Sequence, residues 1–278
     1  MQKHITIKIV TVVYFVLIIS FHSFAQFFDL PTTVLDKANL SITYAMAWKQ
    51  DTNNLEKTRR EEMILLVGKK ISMFQSKNFY QFCSIGRKAE QEGRLDGFLN
   101  GPEIGNFKTR YTYAIYKNYP AGSYTYTDKM MPGFFQYDES FDVFNWKLSN
   151  QVDTIGGYVA HCAFADYGGR HWVAWYTTDI PLNDGPYKFR GLPGLIIRLY
   201  DDQKHYSFDM VKIERYDESK PIEFPDMGWV HTTRNNFLKA EENFRLDIIN
   251  RAKSAGASSE TQQAAARNMM KKNNPIEF

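Results

Sequence analysis

The chain has 278 residues and a formal net charge of +3, with 34 Lys and Arg residues against 31 Asp and Glu residues. This near-neutral balance gives no electrostatic footprint for nucleic acid, and the length fits one domain with appendages. The 17 tyrosines and 21 phenylalanines form a heavy aromatic load that favours β-strands.

The first 25 residues have the features of a removable signal peptide. Lys3 and Lys8 give a positive start, an apolar run follows at 9–19, and a small-x-small cleavage site ends at Ala25. The uncharged run is shorter than the roughly 18 residues that span a bilayer, and a retained anchor is the alternative interpretation. We therefore predict export to the periplasm or the extracellular space, with no stable membrane span.

Alternating apolar and polar residues predict a series of short strands in the first part of the mature chain. One helix is predicted at 78–92, followed by a glycine-containing loop at 93–106. The predicted strands are 38–48, 63–67, 71–74, 107–115, 124–129, 134–137 and 143–148.

The second part of the chain contains a predicted hairpin at 151–177 that turns at Gly168-Gly169 and pairs residues whose numbers sum to about 337. Two further strands are predicted at 195–201 and 206–214. Two helices follow, at 235–252 and from a capping box of Ser259 and Gln262 to about residue 272.

These elements predict an α+β fold that is mostly antiparallel β, with a curved, meandering sheet followed by C-terminal helices. In one version of this prediction the sheet curves into a half-barrel, similar to the fold of lipoprotein carriers. The predicted division is a signal peptide at 1–25, a β-rich domain at 26–232 and a partly mobile helical segment at 233–278.

Motifs that place a reactive group are missing from the sequence, which contains no phosphate-binding loop, G-x-S-x-G, H-E-x-x-H or C-x-x-C. In the predicted hairpin register His161 and His171 lie about 15 Å apart, too far to share one zinc ion. The sequence therefore predicts neither a metal nor a cofactor. Export permits a disulfide between Cys83 and Cys162, and two free thiols are the alternative.

The loop between the predicted strands at 151–177 and 195–201 is rich in glycine and proline, which specify its backbone path. We predict that this loop is a structural clamp, with Leu192, Leu195 and Ile197 as its buried plug. Arg170 has three interpretations: an ion pair with Asp166, a group that holds the loop, or a ligand for a substrate carboxylate or phosphate. The predicted clamp residues are Arg170, Asp179, Asp184, Gly191, Pro193 and Gly194.

Aromatic side chains flank the same loop and have two interpretations. Aromatic residues in strands are most often core residues, and the alternative is a groove for an apolar ligand. The predicted ligand-binding residues are Trp172, Trp175, Tyr176, Tyr187 and Phe189.

The heptapeptide that starts at Gly191 reads Gly-Leu-Pro-Gly-Leu-Ile-Ile, and it resembles the signature of the GLPGLI family. Further similar positions are Gly169-Arg170, Ala174–Thr177, Gly185–Phe189 and the closing Asn274–Glu277. The resemblance implies an exported protein of a type found in Bacteroidota, with no known reaction. The chain departs from the family at Ala160, where members often carry a cysteine.

Three functions are compatible with these features. The first is a non-catalytic binding module of the envelope for an apolar small molecule, lipid or peptide. The second is an accessory protein of an outer-membrane transport or secretion system, and the third is a hydrolase using Arg170, His171 and an aspartate. The first is favoured, because no nucleophile or metal cluster accompanies the loop.

Overall fold

The computed structural model describes residues 28, 30–130, 133–254 and 256–278, and the predicted signal peptide at 1–25 lies outside these ranges. Twelve β-strands form one sheet within them. The strands are β1 Thr32–Lys49, β2 Thr58–Val67, β3 Ser72–Ser76, β4 Ala114–Lys117, β5 Ser123–Met130, β6 Gly133–Ser140, β7 Lys147–Ile155, β8 Tyr158–Tyr167, β9 Arg170–Thr177, β10 Leu195–Asp201, β11 Tyr206–Pro225 and β12 Val230–His231.

The sheet consists of two antiparallel meanders that are joined by the pairing of β1 with β11. Its strand order is β12-β6-β5-β4-β3-β2-β1-β11-β10-β9-β8-β7, and β12 with β6 is the parallel pair. The two outermost strands, β12 and β7, are not paired with each other, so the sheet is open. The predicted class, a mostly antiparallel β sheet with C-terminal helices, is confirmed.

The sheet is strongly curved, and the positions of two side chains show how strongly. Glu139 on β6 and Tyr167 on β8 are nine steps apart in the strand order, which would separate them by about 43 Å in a flat sheet. The Tyr167 hydroxyl nevertheless donates a hydrogen bond to Glu139 at 2.9 Å. The concave face therefore closes on itself at this point, and it encloses the main hydrophobic core.

Five helices accompany the sheet among the described residues. A second, smaller core lies on the other face of the sheet, where β2, β3 and β4 meet the N-terminal part of β1. None of the helices described has the length and apolar character needed to cross a bilayer. The helices are α1 Lys77–Gln91, α2 Leu95–Leu99, α3 Arg234–Leu246, α4 Ile248–Ser254 and α5 Ser259–Met270, with 3₁₀ turns at Pro102–Phe107 and Phe141–Val143.

Several predicted elements are confirmed, because their alternation matches the strands that they form. Strand β10 has the predicted bounds, 195–201. The hairpin of β8 and β9 turns at Gly168-Gly169, and His161 pairs with Tyr176 in the predicted register. The predicted helix at 78–92 is α1, which begins after Ser76, whose hydroxyl accepts a hydrogen bond from the Phe79 amide.

The prediction of a strand at 107–115 is wrong for most of its length. Strand β4 begins only at Ala114, which pairs with Gln75 near the end of β3. Beyond that residue β3 gives way to α1, so the segment before Ala114 has no neighbour on the β3 side, although β5 continues on the other side to Met130. Phe107 instead packs against Phe82 and Phe98 beside α1.

Smaller corrections concern turns and caps. Only the last two residues of the predicted strand at 143–148 are in a strand; with the first part of the predicted hairpin they form the separate strand β7, which turns into β8 at Gly156-Gly157, both with positive φ. Part of the predicted loop at 93–106 forms α2. The last helix is capped by Ser258 rather than Ser259, one residue earlier than predicted.

Candidate functional site

The loop that connects β9 to β10, residues 178–194, lies against the concave face of the sheet. The side chain of Leu192 in the loop is buried, and so are those of Leu195 and Ile197 at the start of β10. This is the burial predicted for the plug. Gly194 allows the closest approach, because a Cβ there would lie 2.0 Å from the Thr177 carbonyl oxygen. Gly191 has a φ of +100°, and its amide donates to the Asn183 side chain.

The five aromatic residues predicted to bind a ligand are placed mainly in the core. Trp172, Tyr176, Tyr187 and Phe189 are buried, and Trp175 is half-buried and packed against the same cluster. The Trp172 and Phe189 rings lie 4.7 Å apart, centroid to centroid. The structure therefore assigns these rings to packing, which is the other interpretation that the sequence allowed.

A buried lysine holds the loop at its first half. The Lys117 ammonium on β4 donates to Asp184 at 2.6 Å and to the Gly185 carbonyl at 2.7 Å. The Ser72 hydroxyl donates to the other oxygen of the Asp184 carboxylate. Burial lowers the pKa of Lys117, an effect that Asp184 offsets only in part. Asp184 is thus a clamp residue, with Lys117 rather than Arg170 as its partner.

A second buried lysine, Lys188, joins the loop to the end of the chain. Its ammonium lies 2.8 Å from Glu139 and 2.7 Å from Glu277. Four tyrosine rings surround it, with centroids 5.0–5.5 Å away, and they belong to Tyr126, Tyr137, Tyr167 and Tyr187. This arrangement combines two carboxylates with an aromatic cage, both of which stabilise a buried cation.

Arg170 holds the segment at residues 273–278 (the tail segment), not the loop. Its guanidinium donates to Asp201 at 2.8 Å and to the Asn274 side chain at 2.7 Å. It also donates to the carbonyl oxygens of Pro275 and Ile276. The prediction that Arg170 contacts the loop through Asp179 or Asp184 is therefore wrong, because Asp201 and the tail segment occupy its donors.

The remaining predicted site residues lie outside these contacts. Asp179 and Pro193 are exposed on the loop. His171 is exposed and contacts Asp166 at 2.8 Å, whereas the adjacent Arg170 is buried on the opposite face of β9. Arg170 and His171 therefore do not share a cleft.

The two cysteines are free thiols in the structure, which decides between the two alternatives left by the sequence. Burial raises the pKa of Cys83 to about 12 and also raises the pKa of Cys162, so neither thiol is activated as a nucleophile. No group of three His, Cys, Asp or Glu side chains within the described ranges is placed to hold a metal ion.

Sequence reasoning missed Lys117, Lys188 and Glu277 as site residues. For Lys117 a signal was present, because it continues the inward-facing series of Tyr113 and Ile115 at a spacing of two. Glu277 was indicated only as one of the positions similar to the GLPGLI family, and its role was not, since its partners Lys188 and Arg234 are far away along the chain.

An open groove lies beside α1, away from the buried clamps. It has a volume of about 760 Å³. One side of the groove is formed by α1, and the other by α2 together with the 3₁₀ turn that follows it. Its walls include Ile85, Ala89 and Phe98, and its charged rim includes Lys88 and Arg94. Phe98 belongs to an aromatic cluster with Phe28, Phe82 and Phe107.

Comparison with known proteins gives one family match and weak structural likenesses. A family model described as a protein of unknown function (Porph_ging) matches residues 169–198. This stretch contains β9, the clamped loop and the start of β10. No curated protein matches the chain.

Two solved structures of PNGF-II resemble the fold. The structure in space group P21 has a TM-score of 0.48 at 9% identity and covers 73% of this chain and 32% of that chain. The structure in space group C2 has a TM-score of 0.46 at 10% identity and covers 84% and 33%, respectively. The chain thus spans about a third of the length of either, and likenesses at this level establish no shared activity.

Proposed function

We propose that this chain is an exported, non-catalytic binding module of the cell envelope, and that its ligand is an apolar molecule with a charged or polar head. The groove beside α1 is the observation that supports the proposal. Ile85 on its wall is 44% exposed although it is a large apolar residue in a helix. Apolar walls with a few polar groups at the rim are typical of small-molecule sites.

The groove lies away from the concave face of the sheet, which other parts of the chain already fill. There the loop and the tail segment pack against the sheet, and the aromatic rings contact one another. A ligand site on the other side of the molecule leaves these contacts intact. The rim cations Lys88 and Arg94 and the nearby Glu103 provide charges that can orient a polar head at the mouth of the groove.

Gly97 and Gly105 provide a matched pair of variants for testing the groove. A Cβ at either position would meet no heavy atom within 4 Å, so a side chain can be introduced at both without a clash at its Cβ. Gly97 lines the groove and Gly105 does not. We expect mature protein to bind 1-N-phenylnaphthylamine, Gly97→Trp to lower the affinity at least tenfold, and Gly105→Trp to leave it unchanged. Equal binding by both variants, or no binding by the unchanged protein, would contradict the proposal.

An accessory role is the second candidate, and the free edge of the sheet favours it. Val152 on the edge strand β7 is 57% exposed, and Val159 on β8 is 51% exposed beside it. An apolar sheet edge can receive a strand from another protein. A photo-crosslinker at Val152 should then capture an outer-membrane protein in intact cells, and one at Val211, which is equally exposed on the central strand β11, should not. Identical crosslinking at both positions would exclude this role.

A further inference from the structure

The tail segment is held as a bound peptide is held, through its backbone and two polar side chains. Asn274 is buried, its side chain donates to the Lys49 carbonyl, and its own carbonyl accepts from the Tyr206 hydroxyl at 2.7 Å. Arg170 donates to the next two carbonyls, those of Pro275 and Ile276. The Phe278 amide donates to the Gly168 carbonyl at 2.9 Å.

The Glu277 carboxylate is the most specific anchor of the segment. It accepts from Lys188, from Arg234 at 2.6 Å and from the Tyr187 hydroxyl, and it lies 3.2 Å from the Tyr167 hydroxyl, which donates to Glu139. A neutral or shorter side chain at this position would leave the buried Tyr187 hydroxyl without its acceptor and Lys188 with one carboxylate, that of Glu139, in place of two.

All the groups that receive the tail segment belong to other parts of the fold. They are supplied by β1, by β9 and the turn before it, by the loop, by the start of β11 and by α3. The segment is not paired in the sheet. The helix before it, α5, has no buried residue, and Gly256 ahead of α5 has a positive φ. The receiving site is thus built independently of the segment, and the connection to it lies on the surface.

We propose that the groups around the tail segment form a peptide-recognition site for the sequence Asn-Pro-Ile-Glu, and that the partner of this site is the tail segment of a second copy of this chain. The same contacts form whether the segment comes from the same copy or from another, so exchange replaces each contact with an identical one. Because a tethered segment has a high effective concentration, the intramolecular form dominates in dilute solution.

The peptide arm of the test uses the full chain with a protease site inserted between Met270 and Lys271. After cleavage we expect the fold to persist by circular dichroism and the cut octapeptide to exchange with an added isotope-labelled octapeptide of residues 271–278, detected by native mass spectrometry. A peptide with Gln in place of Glu277 should bind at least tenfold more weakly, and Arg170→Lys should weaken binding of the unchanged peptide. Unfolding on cleavage, or absence of exchange, would overturn the proposal.

The second arm tests the partner. Uncut chains with light and heavy isotope labels are mixed at high concentration, and we expect mixed dimers by native mass spectrometry. The cut protein, after removal of its octapeptide, should form none, because its copies have no segment to exchange. Mixed dimers that persist in that protein, or an uncut chain that stays monomeric while the peptide arm succeeds, would show that the second copy is not the partner.

Discussion

Arg170 shows how far a single residue could be interpreted from the sequence. Arg170 stands at the start of β9, next to Gly169. Its guanidinium is planar and carries several donors, so the sequence indicated a residue able to hold several carbonyl oxygens. The carbonyls it contacts lie more than 100 residues further along the chain, in the tail segment. Local pattern determines which face of β9 the side chain occupies, but only the folded chain brings its partners to that face.

Replacing Arg170 should destabilise the fold, because Asp201 would be left buried without its partner. We expect Arg170→Ala to lower the free energy of unfolding by about 3–5 kcal/mol in urea titrations. Arg198→Ala breaks a half-exposed pair with Asp209 and should cost less than about 1 kcal/mol. If the two variants lose equal stability, the contacts of Arg170 with Asp201 and the tail segment do not stabilise the fold.

Gly194 permits a backbone contact that no other residue allows. A Cβ at this position would overlap the carbonyl oxygen of Thr177, and neither backbone can move without disturbing the pairing of β9 with β10. We expect Gly194→Ala to lower the unfolding free energy by about 3 kcal/mol or more. Gly105→Ala, in open space, should stay within about 0.5 kcal/mol of the unchanged protein in the same thermal and urea measurements.

At the scale of elements, the prediction of strands from the sequence succeeded where the neighbouring strands continue and failed where one of them ends. Residues 195–201 were predicted as a strand joined to the next by a polar link, and the hairpin register was predicted from its turn at Gly168-Gly169. The segment 107–113 alternates as well, yet β3 ends at Ser76 and leaves it without a ladder on that side. Periodicity describes which face is apolar, whereas hydrogen-bonded neighbours decide whether the segment is a strand.

The loop and the sheet are coupled through Lys117 and Asp184, and this coupling can be measured. Lys117→Met leaves the Asp184 carboxylate buried with only Ser72 and the loop's own Gly185 amide as donors, so we expect a loss of about 3–5 kcal/mol in unfolding free energy. Adding Asp184→Leu removes the unpaired charge and should restore part of that stability. A double-mutant cycle from urea unfolding tests this, and strictly additive losses would show that the two residues are not coupled.

At the scale of the whole molecule, the sheet encloses parts of its own chain. The loop contributes Lys188 and the tail segment contributes Glu277, and both lie between strands from opposite ends of the sheet. A curved antiparallel sheet was predictable from the strand series, and a plug of apolar loop residues was predictable from their pattern. The charged contacts inside it were not predictable, because they join segments whose proximity depends on the curvature of the whole sheet.

Buried carboxyl groups make stability depend on pH, and the pKa shifts of Glu277 and Asp128 have opposite directions. Burial by itself would raise the pKa of Glu277, but Lys188 and Arg234 hold it below its ordinary value of 4.5. The stability that Glu277 contributes is therefore present above about pH 4.5 and is lost as the pH falls further. Burial raises the pKa of Asp128 to about 6, and hydrogen bonds from Thr112 and other donors offset this only in part. The native state therefore binds the Asp128 proton more tightly than the unfolded chain, and this contribution falls as the pH rises from about 4 to 6.

The contributions of Glu277 and Asp128 are separated by measuring, as a function of pH, the difference in unfolding free energy between each variant and the unchanged protein. We expect Glu277→Gln to lower the unfolding free energy at pH 7, and the gap to the unchanged protein to close below about pH 4.5, where the carboxyl group is protonated in the unfolded chain. Asp128→Asn, which resembles the protonated form, should have the opposite effect: it should stabilise the protein by about 1–3 kcal/mol at pH 7 and have little effect near pH 4. Urea unfolding of the three proteins from pH 3.5 to 8 provides the curves. If the Glu277→Gln gap is independent of pH, the carboxylate is not stabilised by Lys188 and Arg234, and the tail segment is held by its backbone contacts alone.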